Sequence, residues 1–190
     1  MTPGPGPAAP EPWTGAGIVL RAFDWSDEAD LAEVFADPGI LTWNPGPPEG
    51  ALAFMRERND WSAGTHASWA VAAAGASPGA GPEQAGRLLG SVSLHKIDRD
   101  QGDAEVGYWV APWARRRGVG AAAAAAAAAY GFERLGLHRA YLFHAVENTA
   151  SCAVARRAGF ALEGTLRQSF RYADGRHHDE HLHARLVTDA

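Results

Sequence analysis

Cysteine, lysine and long apolar runs are what this 190-residue sequence has least of. Its single Cys152 excludes a disulfide framework and any zinc finger built on paired cysteines, and it fits a reducing cytoplasm. Lys96 is the only lysine, so the cations are almost all arginine. No strongly apolar run reaches the roughly 18 residues a membrane span needs. The longest low-polarity stretch, Ala121 to Ala129, is all alanine, so no membrane partner is expected. Positive charge is also scarce: 17 basic against 22 acidic side chains leave a net −5, which argues against a general nucleic-acid binder. The lead-in lacks the basic and apolar regions of a signal peptide.

What is present is Ala, Gly, Pro and Arg in an excess that reads as a high-GC bacterial coding bias. Residues 1–15, rich in Pro, Gly and Ala, are expected to be an extended, poorly ordered lead-in, and 16–190 a single domain. Strands are expected at Ile18 to Phe23, Ser68 to Ala72, Leu88 to Leu94, Ala104 to Val110, Arg139 to Val146, Phe160 to Phe170 and His177 to Val187. Ser26 is the expected N-cap of a helix through Leu31, Val34 and Phe35, ended at Asp37-Pro38-Gly39; a second helix should start near Pro47-Pro48. Ala73 to Gly86 reads as a long loop. Helices follow at Ala121 to Leu135, stopped by Gly136, and at Thr149 to Ala158. This order makes a mixed α/β domain with a parallel strand pair across the alanine-rich helix, which can lie close to the sheet.

The chemistry-bearing segment is Val110 to Gly120, a strand followed by Arg115-x-x-Gly118-x-Gly120 and a helix. That succession gathers backbone N–H groups and a helix N-terminus around one point, a site for phosphate or pyrophosphate. Glycine is expected at 118 and 120 so that no Cβ keeps ligand oxygens from the backbone. A Walker loop fails because no Lys-Ser or Lys-Thr follows, and a dinucleotide fingerprint is met only loosely.

Arg115-x-x-Gly118-x-Gly120, after Glu105-Val106-Gly107-Tyr108-Trp109-Val110, resembles the acetyl-CoA loop of the GNAT N-acetyltransferases. The run Asn148 to Phe160 is similar to that superfamily's second conserved block. Glu163-Gly164-x-Leu166-Arg167 and Asp174-Gly175-Arg176 resemble the RimJ/RimL-type branch of ribosomal-protein N-terminal acetyltransferases. The resemblance implies a mostly antiparallel twisted sheet, flanked by helices and splayed at the parallel pair, with pantetheine in the gap. It implies that backbone N–H groups of Arg116, Arg117, Gly118, Val119, Gly120 and Ala121 hold the pyrophosphate. Arg115, Arg116 or Arg117 would meet the 3′-phosphate, Asn148 the pantetheine amides, and an N–H near Trp109 or Val110 the thioester carbonyl.

Acetyl transfer needs an uncharged amine, a proton acceptor, oxyanion stabilisation and a donor to the leaving thiolate. Glu163 matches the branch's proposed base position, against which stands a salt bridge to Arg167. Glu105 could hold a water or the substrate ammonium, or be a solvated strand-end carboxylate. Ser151 could protonate the thiolate, or serve the helix start with Asn148 as N-cap. Trp43, Trp109 and Tyr172 are candidates to line the acceptor pocket. Cys152 is not expected to be a nucleophile, because no histidine lies at an obvious paired position.

In the His177 to His183 strand, alternation places His177, Asp179, His181 and His183 on one face. Alternate strand residues stand about 6.6 to 7 Å apart, long for one tetrahedral zinc, so no metal is expected and the strand is read as pocket lining or interface. The implied activity is acetyl-CoA-dependent transfer to a primary amine, a protein N-terminus or a small amine such as an aminoglycoside. A non-catalytic acyl-CoA-binding module is the rival, and a homodimer is kept as an expectation. The net charge also sharpens: three cations sit in one loop where an anionic cofactor would lie, and the remaining acidic surface suits a cationic acceptor.

Overall fold

A computed structural model describes residues 12–44, 49–74 and 87–189. Along the chain run β1 (Trp13–Gly15), β2 (Ile18–Arg21), α1 (Glu28–Val34), α2 (Pro38–Leu41), α3 (Gly50–Asn59), β3 (Ala67–Ala73), β4 (Gly90–Asp98) and β5 (Asp103–Val110). Then come α4 (Val119–Leu135), β6 (Arg139–Ala145), α5 (Thr149–Arg157), β7 (Ala161–Arg171) and β8 (His177–Leu186). The strands form one sheet in the order β1-β2-β3-β4-β5-β6-β8-β7, antiparallel throughout except where β5 meets β6. That pair is registered only at Asp103↔Arg139, Ala104↔Ala140 and Glu105↔Tyr141. Beyond Glu105 the two strands diverge, and the splayed α/β fold anticipated from the motifs is the one observed.

Alanine sets the depth of the larger core. Ala123, Ala124, Ala126, Ala127 and Ala128 of α4 are buried against Leu94, Ala104, Val106, Ala140 and Leu142 of the sheet, since methyl side chains let helix and sheet approach closely. Gly136, at φ 69°, ends α4 in the left-handed conformation. A smaller cluster of Phe23, Leu31, Phe54, Met55, Ala70 and Leu88 brings α1 and α3 against the sheet. Strand alternation divides the two: Trp69 and Val71 enter the first cluster, Ala70 the second.

Four local readings change. The lead-in expected over residues 1–15 does not hold at its end, where Trp13–Gly15 pairs with β2 through Ala16 and Gly17, both at positive φ, as a two-residue hairpin requires. Trp13 anchors that strand edge-on against Tyr130 at 5.6 Å. Residues 1–11 lie outside the described residues. Second, Ser26 does not cap: Asp24 accepts from the Ser26 N–H, and Asp24 with Asp27 forms the capping box of a short 3-10 turn that leads into α1. Third, Asp37 does not merely end a helix; its side chain accepts from the Ile40 N–H and starts α2. Fourth, the strand expected from Leu88 begins at Gly90 and runs to Asp98. Pro47-Pro48 and positions 75–86 of the expected loop lie outside the described residues.

Asp27 ties the β2 end to this capping turn. Its two oxygens each accept from Arg21 at 2.7 Å, with both side chains under 5% exposed. Removing one partner leaves an uncompensated buried charge, whereas the intact pair is worth far less than its Coulomb energy. Asp27→Ala should therefore cost about 3 to 5 kcal/mol in urea unfolding, well beyond the effect of an exposed Asp→Ala change.

Candidate active site

The divergence of β5 and β6 opens a cleft of about 490 Å³ between the end of β5, α2 and the N-termini of α4 and α5. Tyr108, Trp109 and Val110 form its strand wall, and Arg115, Arg116, Gly118, Val119, Gly120 and Ala121 its loop and helix-start wall. Asn148 and Ser151 close it from α5, and Ile40, Trp43 and Asn44 from the α2 region. Ten of the eleven expected cofactor residues thus meet in one concavity. Arg117 is the exception: it is exposed and does not line the cleft.

The loop is shaped to present N–H groups. Arg116 stands at φ 60° and Gly118 at φ 79°, so two residues in the left-handed region turn the chain sharply into α4. Gly118 caps α4 with no side-chain hydrogen bond, and the first helical bond runs from the Ala122 N–H to the Gly118 carbonyl. The N–H groups of Val119, Gly120 and Ala121 therefore have no acceptor within the helix and carry its positive end. The two glycines act differently from the sequence reading. A Cβ at Gly118 would meet nothing within 4 Å, so its glycine answers to backbone angle; at Gly120 it would lie 3.2 Å from the Val110 and Val154 methyls and 3.4 Å from the Tyr108 ring. Gly120 lets α4 start against both β5 and α5, which fixes the cleft's width.

The arginines divide their labour. Arg115 is ion-paired with Asp37, the residue that caps α2, and so holds the Trp43 wall to the loop. This guanidinium holds the Asp37 carboxyl below the usual carboxylate range. Arg116 faces the cleft, and Arg157 of α5 joins it there. The sequence offered no spacing rule that would bring Arg157 to the loop.

At the other wall, Asn148 caps α5 by accepting from the Ser151 N–H at 3.1 Å. The Ser151 hydroxyl accepts from the Tyr108 hydroxyl at 3.1 Å. Burial pushes the Tyr108 phenol up to about 12, so it stays protonated and its proton remains available to Ser151. Tyr108 was read only as a strand residue; alternation places it on the α4 face, but only the fold brings α5 over it.

The two expected carboxylates lie elsewhere. Glu163 on β7 is held by a fork from Arg139, not Arg167, which lowers its carboxyl below the usual range; it does not line the cleft. Glu105 sits at the last paired step of β5 and β6 and accepts from Lys96 at 2.7 Å. A third carboxylate was missed. Glu180 on β8, 8% exposed, accepts from Ser169 and from Tyr172, each at 2.9 Å, and is in no ion pair among the described residues. Neither Glu180 nor Tyr172, the latter expected in the acceptor pocket, lines the cleft itself; Tyr172 packs edge-on against Trp43 at 5.4 Å, and Trp43 is the wall residue through which both adjoin it.

Comparison with known proteins gives the family. The family model described as acetyltransferase (GNAT) domain matches residues 18–161, and the chain belongs to that family. Within it, named relatives point to the RimJ/RimL-type branch. YdaF of Bacillus subtilis (strain 168), a candidate ribosomal N-acetyltransferase by its name, is 41% identical over 94 residues, 50% of this chain and 51% of that protein. The ribosomal-protein-serine acetyltransferase of Escherichia coli (strain K12) is 31% identical over 100 residues, covering 53% and 55%. The spermidine N(1)-acetyltransferase of Vibrio cholerae is 34% identical over 92 residues, covering 48% and 53%. The chain spans about half the length of the curated relatives it matches. Among solved structures, an acetyltransferase at 26% identity superposes with TM-score 0.78 over 95% of this chain and 99% of that one. Mycobacterium smegmatis RimJ in complex with CoA-disulfide shares the fold at TM-score 0.76 and 22% identity, over 90% of this chain and 83% of that one. No helix among the described residues is long and apolar enough to cross a membrane.

Gly120→Glu should abolish acetyl-CoA binding in calorimetry, because its side chain adds bulk and negative charge where α4 meets the cleft. Gly118→Ala should cost about 1 kcal/mol of stability, the strain of a left-handed non-glycine residue. An unchanged acetyl-CoA affinity in Gly120→Glu would remove the loop from the cofactor site.

Proposed function

We propose that this protein is an acetyl-CoA-dependent N-acetyltransferase that acetylates a primary amine by direct attack through a tetrahedral intermediate. The observation that carries the reading is one cleft with an uncapped helix N-terminus on one wall and a paired hydroxyl donor, Tyr108–Ser151, on the other. Bound acetyl-CoA supplies the acyl group as an activated thioester. The N–H groups at the start of α4 hold the pyrophosphate, with Arg116 and Arg157 adding charge; Arg117, off the cleft wall, is left for the 3′-phosphate. Asn148 holds the pantetheine amides, and a backbone N–H at Trp109 or Val110 polarises the thioester carbonyl. The Ser151 hydroxyl, oriented by the hydrogen bond that Tyr108 donates to it, donates to the departing thiolate and regains its proton from solvent, while the amine proton leaves through the base.

For the acceptor, we assign the ammonium site to Glu180. A buried carboxylate satisfied by neutral hydroxyls and in no ion pair among the described residues favours a cationic ligand. Tyr172, whose phenol is raised by burial and by its bond to Glu180, stays protonated as donor. Glu180 also receives the amine proton, directly or through water, in place of Glu163, whose fork with Arg139 occupies both oxygens. Glu105 remains a second candidate for orienting water at the vertex of the splay. A protein N-terminus is the favoured acceptor, since an α-amino group titrates near about 8 against about 10.4 for lysine and asks less of a base. A small polyamine is the second reading, favoured by the enclosed aromatic and acidic setting of Glu180, Tyr172 and Trp43. The homodimer belongs here too: β7 is an exposed edge strand carrying Leu162, Leu166 and Phe170, and a second copy is the occupant we assign. A cytoplasmic setting accords with a lone cysteine.

Ser151→Ala and Tyr108→Phe should each lower kcat about 10-fold or more while leaving acetyl-CoA affinity within about two-fold, as loss of a positioned proton donor does. Thiol release should be screened with N-terminal peptides, polyamines and aminoglycosides. Acetyl-CoA binding without thiol release for any amine would leave only the binding-module reading. Glu180→Gln should raise the KM for the amine and lower kcat, whereas Glu163→Gln should lose less than about two-fold in either. The reverse order would return the base to Glu163.

A further inference from the structure

Behind the cleft, under α5, lies a cluster that acetyl transfer does not use. His144 on β6 is paired in register with His181 on β8, and His183 lies two residues further along the same face of β8. Cys152 of α5 comes down onto the three rings. One ligating atom from each of these four residues lies within 4.8 Å of the others. The rings are in mutual contact, with His144 and His183 stacked at 5.2 Å and His144 and His181 edge-on at 5.3 Å.

The nitrogens of this cluster are also unfinished. His144 Nε2, His181 Nδ1 and His183 Nε2 are buried and have no hydrogen-bond partner among the described residues. His144 is 4% exposed and His183 fully buried. A buried, unpartnered polar atom is costly, and here three occur in one cluster of rings. The outward nitrogens explain the inward ones. His144 Nδ1 lies 2.8 Å from the Ala145 carbonyl and His183 Nδ1 lies 3.4 Å from the Phe160 carbonyl, contacts that place the ring proton on Nδ1 and leave a lone pair on Nε2. A backbone carbonyl holding the far N–H is the usual support of a histidine metal ligand.

We infer that His144, Cys152, His181 and His183 form a closed, four-ligand site for a zinc ion that pins α5 to strands β6 and β8. Three imidazoles and one thiolate are the donors zinc prefers, and four protein ligands make a structural rather than a catalytic site. In a tetrahedral site with bonds of about 2.0 to 2.3 Å the donors stand about 3.3 to 3.6 Å apart, so side-chain rotation alone must draw the widest pair inward by roughly 1 Å. The zinc would add a fixed point one residue beyond Ser151, on the helix whose first turn faces Tyr108. The expectation of no metal rested on the spacing along a single strand. The neighbouring strand and α5 supply the ligands that spacing could not.

The test uses tag-free full-length protein stripped with chelator and titrated with Co²⁺, then Zn²⁺. The site predicts about one Co²⁺ per chain with tetrahedral visible bands and a thiolate-to-cobalt charge-transfer band, both displaced by Zn²⁺. Zn²⁺ should also raise Tm. Cys152→Ser should remove the charge-transfer band, and His181→Gln should weaken Co²⁺ binding at least about 10-fold, with circular dichroism confirming that both variants fold. Wild-type protein without the charge-transfer band, or Co²⁺ binding unaltered in both variants, would overturn the site. Acetyl-CoA affinity measured alongside keeps this result separate from the acetyltransferase reading.

Discussion

Two parallel strands that stay hydrogen-bonded for three residues and then separate create the constraint from which the cleft follows. Past Glu105 and Tyr141, β5 and β6 each keep one neighbour, β4 and β8, but lose each other. Backbone groups facing the gap need partners, and a ligand that is itself a chain of amides can provide them. The helix that follows each strand begins at the same gap. The positive end of α4 and the capped first turn of α5 therefore face one space without any long-range signal between them.

Small side chains make this arrangement tight. The alanines of α4 let the helix settle on β4 and β5, and Gly120 lets its first turn touch Val110, Val154 and Tyr108. Charge is arranged around the same space. The chain is acidic as a whole, yet Arg115, Arg116 and Arg157 gather at the α4 and α5 side while Glu180 lies behind Tyr172 and Trp43. An anion on one side and a cation on the other are the two charges that the proposed transfer from acetyl-CoA to an amine would bring together.

Much of the fold was legible in sequence. The strand–loop–helix around Arg115-x-x-Gly118-x-Gly120, the stop at Gly136 and the Asn148 cap with Ser151 are local, and the structure has each where the residues put it. What was misread was decided by competition or by distance. Asp24 takes the cap from Ser26 because its carboxylate reaches the Ser26 N–H and pairs with Asp27, itself held by Arg21. Trp13 leaves the Pro-rich lead-in because Tyr130, far along the chain, offers it a surface. Glu163 binds Arg139, a residue two strands away in the sheet, because β8 lies between them and side chains on one face reach across.

By itself, the sequence determined the elements, their order, the glycine and arginine loop and the family that loop belongs to, because caps, turns and periodicity act over a few residues. Only the tertiary structure decided which side chains share a space. It set Tyr108 against Ser151, paired Glu163 with Arg139, buried Glu180 beneath Ser169 and Tyr172, brought Arg157 to the loop and gathered His144 and Cys152 around His181 and His183. The physical reason is that sheet order and helix crossing join residues tens of positions apart, and no spacing along one element records which neighbour it will meet.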